Sequence, residues 1–408
     1  MNILKRYSKA DLSYFLGKTI EYAAYLYLFC LPFGKSIVEI ASVIIIISFF
    51  LKCAIKRNVS LPPAKVNFPL FIFIAALFLS LINTPDLFHS VKAIISKYLK
   101  FIVVFWAISE TFDTERKIKN MVKVAVLSSI LICADGFIQY FLKYDILHLP
   151  PYPIFKNRIT ACFPYPNDFA SWILIFILPA LSVFAFCKSR PALRLWGGFV
   201  FFIQALALYL TETRSALLGI IIGIVFICVL KRLYKVFLGF VVLTALLASL
   251  FLAKPDIFPA NMSSMDGIRD RKVMWTNAVT IIRRHPIIGN GVNTFFNNYK
   301  NVRNDEYRGG KGSYAHNCFL QMAAEIGIVG LFAYLLFLGA FFKETISAFK
   351  GRGFSPCQVA LLMGLLAGIA TFLVNAFFDT SLYSLNLNAL FWITLSFTLA
   401  ASRVRCLS

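Results

Sequence analysis

Long apolar stretches punctuate the chain at about residues 17–34, 37–55, 67–83, 98–113, 121–142, 167–187, 194–212, 215–230, 235–253, 320–341, 357–378 and 383–401. A helical crossing of a bilayer takes roughly 20 apolar residues, whereas a barrel needs short alternating segments. The pattern predicts an all-α polytopic integral membrane protein with about twelve transmembrane helices, forming a single integral domain over residues 1–408. The first apolar run reads as a span and not a cleaved leader, because Pro32-Phe33-Gly34 and a second span follow it. One segment departs from the pattern. Residues 254–315, between spans nine and ten, are long and hydrophilic. Within them Val273, Met274, Ala278, Ile281 and Ile282 recur at helical spacing until His285-Pro286. They predict an amphipathic helix over Asp270–Arg284, lying on the membrane face. Leu87–Tyr98 is a second segment of this kind.

Composition excludes other classes. The chain is 59% hydrophobic and 15% charged, against about 45–50% and about 25% in soluble domains. Neither a soluble globular protein nor a disordered one has that balance. A net charge of +22 in a soluble protein would point to nucleic acid. Here the basic residues instead gather at every even-numbered span boundary, for example Lys52, Lys56 and Arg57, then Arg116, Lys117 and Lys119, then Lys231 and Arg232. By the positive-inside rule both termini are cytoplasmic, the 254–315 loop lies on the opposite side, and no nucleic-acid partner is needed. That loop holds ten Lys/Arg against five Asp/Glu. Long translocated loops escape the rule, so topology does not account for the excess. The nine Cys stand singly, and Cys30, Cys133, Cys187 and Cys228 read as small buried hydrophobes. Four His without an H-E-x-x-H pattern give little support to a metal site.

Several residues carry candidate chemistry. Arg214 sits where span seven ends, in Leu210-Thr211-Glu212-Thr213-Arg214. A guanidinium at a membrane edge is costly and marks a site with a partner; snorkelling, or pairing with Glu212, is the bland alternative. Arg269, Arg271 and Lys272 open the loop helix, and Arg283 and Arg284 close it. Arginine forks suit phosphate oxygens, although such residues also contact lipid headgroups. His316 lies where the polar loop meets span ten, the position for a general base or simply for a hydrogen-bonding residue. Arg158, Asn167 and Asp168 precede span six, where Asn167 or Asp168 can cap the helix. Asp135, Glu325 and Asp379 are intramembrane or membrane-edge carboxylates that can pair with an arginine or relay protons. Gly327-x-x-Gly330 reads as a close helix-packing motif.

Taken in order, these pieces resemble the O-antigen ligase family of the O-antigen ligase/polymerase superfamily. The matching stretches are Arg158…Phe163-x-x-Pro166-Asn167, Leu210-Thr211-x-Thr213-Arg214-Ser215-Ala216-x-x-Gly219 and Arg271-x-x-x-Trp275. They continue with His285-Pro286-Ile287-Ile288-Gly289-x-Gly291-x-Asn293-x-Phe295, His316-Asn317-x-Phe319-Leu320 and Glu325-x-Gly327-x-x-Gly330. The resemblance covers about residues 155–345. It implies a glycosyltransferase of the bacterial inner membrane whose active site faces the periplasm and whose 254–315 loop forms part of that site. The donor would be a glycan on undecaprenyl pyrophosphate and the acceptor a hydroxyl of lipid A-core, as in lipopolysaccharide biosynthesis. No cofactor, metal or nucleotide sugar takes part, and membrane lipids surround the chain. The same resemblance implies that Arg214 and Arg271 hold the donor pyrophosphate, with Arg269 as the alternative loop arginine and Arg158 beside them. His316 is then catalytic, with Asn317, Glu325, Asn167 and Glu212 in support. A direct displacement of this kind inverts the anomeric centre. A polymerase of the same superfamily is the alternative within the class, and a lipid-linked glycan transporter is the alternative outside it.

Overall fold

The computed structural model describes residues 8–57, 61–144, 158–254, 266–302, 314–351 and 353–405, and among these the regular structure is helical. The first five helices are α1 Lys9–Cys30, α2 Lys35–Lys56, α3 Ala64–Leu79, α4 Leu87–Ala93 and α5 Lys100–Thr111. A π-helical turn, Ile94–Leu99, joins α4 to α5. Then come α6 Glu115–Leu142, α7 Pro166–Phe186, α8 Pro191–Leu210, α9 Arg214–Leu230, α10 Tyr234–Ala253, α11 Asp266–Arg284 and α12 Phe295–Lys300. The chain closes with α13 Cys318–Gly351, α14 Pro356–Ala376 and α15 Leu385–Ala401.

Each predicted apolar stretch falls in a helix, but the helices differ in what they can span. Seven are long and apolar enough to cross a membrane, and they comprise or lie within α2, α3 with the 3-10 turn after it, α6, α7, α8, α13 and α14. Helices α9 and α15, and the first part of α10, are apolar but shorter. Helix α1 starts at Lys9, ahead of its apolar run, because Ser8 and Asp11 form a capping box. It thereby takes in Asp11, Lys18 and Glu21. Helix α5 has only 12 residues and borrows its length from the π turn and α4. Large apolar side chains remain exposed on many helices, among them Ile40, Phe50, Phe68, Trp196, Phe202 and Leu238. Faces of this kind fit hydrocarbon and not water, and they point to a multi-pass membrane protein.

The core lies where α7, α14 and α15 meet. Residues 386–401 of α15 are all buried, and α7 packs along α14, α8 and α9. Gly364 and Gly368 of α14 lie directly against the α7 backbone at Pro179 and Ile175, where any side chain would collide. Close backbone approach of this sort substitutes for a hydrophobic driving force between helices in lipid. Away from the site, Cys187 after α7 is joined to Cys357 at the start of α14. Cys187 is therefore not the free hydrophobe the sequence suggested, while Cys30, Cys133 and Cys228 are free and buried. The pairing escapes a sequence reading because 170 residues separate its ends.

The amphipathic helix exists as α11 and begins four residues before the predicted start at Asp270. It stops at Arg284, before Pro286. Within the predicted loop, residues 255–265 and 303–313 lie outside the described residues.

Candidate functional site

The ends of α8 and α14 and the starts of α7, α9 and α13 converge at one end of the bundle, and polar side chains tie them together. Ile159 pairs its backbone N–H with the Leu210 carbonyl at 3.2 Å. This sets Arg158 against the end of α8. Its Nε donates to the Thr211 carbonyl at 2.7 Å, and its Nη2 donates to Asn167 Oδ1 at 3.0 Å and to Thr213 Oγ1 at 3.1 Å. Asn167 in turn donates from Nδ2 to Asp379 Oδ2 at 2.8 Å. Asn167 is thus not the helix cap that its position suggested. Helix α7 opens on Pro166 with Tyr165 at its N-cap and no side-chain cap bond. Proline needs no partner for a missing N–H at that position, which releases Asn167 for the site. Burial works against the charge of Arg158 and lowers its pKa, while Glu212 and Asp379 act to retain the charge.

Arg214 opens α9 instead of ending the preceding span, because Thr213 is extended and turns the chain. A cation at a helix N-terminus opposes the helix dipole. Its place there is therefore not for the helix's benefit. An anion at the same point would meet both the guanidinium and the free N–H groups of the first turn. Arg271, half-buried on α11, acts electrostatically on Arg214 and on Asp379. It also lines a cavity of about 760 Å3 with Trp275, Val279, Arg283, Leu320 and Phe378. Arg269 is exposed, and neither it, Arg214 nor His316 lines that cavity.

His316 stands just ahead of α13 with a left-handed φ of 47°. A β-carbon residue is strained in this region, and such strain concentrates at functional sites. Three contacts hold it there. Trp275 Nε1 donates to the His316 carbonyl at 3.4 Å. Asn317 Oδ1 accepts from the N–H groups of Phe319 and Leu320 at 3.0 Å each, capping α13. Cys318 Sγ donates to the Asp379 carbonyl at 3.2 Å. The imidazole is partly open, with 41% of the side chain exposed, and its Nδ1 lies 3.7 Å from Asp379 Oδ1. That separation is an ion-pair contact, longer than a hydrogen bond. Burial pushes the Asp379 carboxyl up, but His316, the Thr380 N–H and the field of Arg271 outweigh it and hold the group below its ordinary 3.8. Asp379 is therefore ionised at neutral pH. Its stabilising contribution is complete above the ordinary carboxylate value and is lost as pH falls through the depressed one. A carboxylate facing Nδ1 favours the proton there and leaves Nε2 as the basic atom.

The Glu325 segment is built differently from what the sequence suggested. Helix α13 breaks at Gly327, whose φ of 72° and ψ of 179° are non-helical. The break frees the carbonyls of Ala324 and Glu325 and the N–H groups of Ile328 and Val329. The loop after α11 satisfies all four. Asn290 and Gly291 donate to the two carbonyls at 3.1 and 2.9 Å, and Ile328 and Val329 donate to the Pro286 and Ile287 carbonyls at 2.9 and 3.2 Å. An unwound turn in a membrane helix is tolerable only when its backbone is re-paired in this way. A Cβ on Gly327 would sit 2.1 Å from the Ile287 oxygen, so the glycine serves this contact and not general helix packing. Glu325 accepts from Gln321 at 3.3 Å and feels Lys97; among the described residues no arginine is its partner. Asp379, which the sequence offers as a membrane-edge carboxylate able to pair with an arginine, meets His316 instead. Trp275 and Lys97 are not candidates from sequence; Trp275 had a signal in hindsight, four residues from Arg271 on one helix face.

Among the described residues no cluster of three or more His, Cys, Asp or Glu is disposed to hold a metal ion. Residues 199–335 match the family model described as O-antigen ligase. The match takes in Arg214, Arg271, His316 and Glu325, while Arg158, Asn167 and Asp379 lie outside it. No curated protein matches the chain.

Proposed function

We propose that this chain, which belongs to the O-antigen ligase family through residues 199–335, transfers a glycan from undecaprenyl pyrophosphate to a hydroxyl of lipid A-core. The observation that carries the reading is the 3.7 Å approach of His316 to Asp379, within the electrostatic reach of the arginines. Arg271 acts on both Arg214 and Asp379, and Asp379 faces His316. A pyrophosphate placed between Arg214 and Arg271 would have fixed donors where negative charge grows as the glycosyl C1–O bond breaks. His316 Nε2 would take the proton of the acceptor hydroxyl as that oxygen bonds to C1. Undecaprenyl pyrophosphate leaves as an anion that needs no proton, and direct attack inverts the anomeric centre. Asp379 holds the imidazole tautomer, while Asn167 and Arg158 hold Asp379. Glu325 and Asn317 shape the backbone on either side of His316, and Glu212 supports the charge of Arg158. Arg271 is the loop arginine of the site, and Arg269 lies outside it. The chemistry needs neither a metal nor a nucleotide sugar.

In this reading the chain makes twelve crossings of a bacterial inner membrane, with both termini cytoplasmic and the site toward the periplasm. The Cys187–Cys357 pair then faces the cytoplasm, where thiols are kept reduced. A polymerase of the same superfamily would use the same groups on a lipid-linked acceptor. The His316-Asn317 and Glu325-x-Gly327-x-x-Gly330 arrangement favours ligation.

Loss of the protein from its cell separates the two readings. Ligation predicts lipid A-core bearing no added glycan while full-length lipid-linked chains accumulate. Lipid A-core that still receives a single repeating unit would mean that the missing activity was polymerisation.

A further inference from the structure

The loop that re-pairs the broken turn of α13 is gripped from its other side by the segment before α5. Asn83 Nδ2 donates to the Gly289 carbonyl at 3.0 Å, and Ser90 Oγ donates to the Val292 carbonyl at 2.9 Å. Thr84 packs against Gly291, where a Cβ would come within 2.5 Å of it. A charge-assisted hydrogen bond adds to these. Lys97 Nζ donates to Asn293 Oδ1 at 2.6 Å, while Asn293 Nδ2 lies 2.6 Å from His89 Nε2. Asn293 has a left-handed φ of 62°, a region asparagine enters more readily than most residues, and its side chain is held there by two partners. Lys97 itself belongs to the π-helical turn Ile94–Leu99. π turns inside α-helices recur at functional positions, and a lysine within a membrane-associated helix is costly without a partner. Its partners are the Asn293 amide and the field of Glu325, the carboxylate at the break. Glu325 is coupled onward. Gln321 donates to it, and Gln321 Oε1 accepts from the Ala315 N–H at 3.2 Å, next to His316.

We propose that Lys97 is a positioning residue of the candidate site. From its π turn it clamps the loop at Asn293 onto the broken turn of α13, and so fixes α11 with Arg271 relative to His316. Its consequence for turnover rests on the proposed function; the clamp itself does not. Lys97 reaches both arms of the site. Through Asn293 it holds the loop that follows α11, the helix of Arg271, and through Glu325 and Gln321 it bears on the backbone that carries His316. The sequence placed Leu87–Tyr98 on the membrane face as an amphipathic segment and gave no reason to single out this lysine.

The test uses the full-length purified protein in lipid nanodiscs, with Lys97→Met, Lys97→Arg and Asn293→Ala compared with wild type. Hydrogen exchange is read over residues 289–295, with α7 and α14 as internal references. Lys97→Met and Asn293→Ala should raise exchange in 289–295 and leave α7 and α14 protected. Lys97→Arg, which keeps a cationic donor, should restore protection. In transfer assays Lys97→Met should lower kcat about 100-fold, the scale of a misplaced catalytic group, with donor KM little changed and substantial recovery in Lys97→Arg. Unchanged exchange in both Lys97→Met and Asn293→Ala overturns the clamp, as does a loss in Lys97→Arg equal to that in Lys97→Met. If Lys97→Met does not accumulate, Asn293→Ala alone decides, since it removes the same bond from the other side. Exchange that rises as described in a protein whose wild type transfers no glycan would retain the clamp and remove the functional reading.

Discussion

His316→Ala is expected to abolish glycan transfer while the protein accumulates in the membrane and still binds its lipid donor. The imidazole is partly open, so its removal leaves a space that solvent can enter and costs little packing. The donor pyrophosphate is held by Arg214 and Arg271 in this account, so binding survives. Loss of a positioned general base costs about 100- to 10,000-fold in rate. Any residual activity should lack the acidic limb of the kcat/KM profile, because the group whose protonation stops the reaction is gone. Asp379→Asn tests the same pair from the other side. It keeps the shape and the Thr380 contact but removes the charge that sets the tautomer, so kcat should fall while donor binding persists. Wild-type turnover in His316→Ala, or failure only through loss of the protein, would make His316 a structural residue held by Trp275 and Cys318.

Arg214→Lys and Arg271→Lys are expected to fail as rescues. A lysine keeps the charge but loses the planar fork, and an ammonium places one donor where a guanidinium places two in parallel. Removing one oxyanion-type donor costs about 3–4 kcal/mol, which corresponds to several hundredfold in kcat/KM. Arg269→Lys should be near wild type, since Arg269 is exposed and does not line the cavity that Arg271 shares with Trp275. Near-wild-type transfer by both Arg214→Lys and Arg271→Lys would mean that these residues attract headgroups and do not hold a pyrophosphate. Purified protein with defined donor and acceptor separates the outcomes.

The parts legible in the sequence were those written in local spacing. Apolar runs located the helices, the Val273–Ile282 periodicity located α11, and Pro286 marked its end. Arginine at a membrane edge and histidine at a loop–helix junction were legible as costly or titratable groups out of their usual place. What stayed hidden depended on distant partners. Asp379 is 63 residues from His316 and joins it only because α14 returns the chain to the same end of the bundle. Gly327 looked like a packing residue because a break in a helix carries no apolar period of its own. Its role shows only when the Pro286–Gly291 backbone lies alongside. Arg214 was assigned to the wrong helix for a local reason: Thr213 can end one element or cap the next, and sequence does not choose between them. The Cys187–Cys357 pair and the Lys97–Asn293 contact were likewise invisible, each spanning well over a hundred residues.

Arg214, Arg271, His316 and Asp379, acting as one transferase site, should work without metal or nucleotide. The measurement that tests this most directly supplies purified protein, in nanodiscs with excess EDTA and no nucleotide, with an undecaprenyl-pyrophosphate-linked glycan and lipid A-core. A covalent glycan–lipid A-core product of inverted anomeric configuration should form in step with free undecaprenyl pyrophosphate. No covalent product under these conditions, or product that appears only when a divalent metal is restored, would contradict this reading.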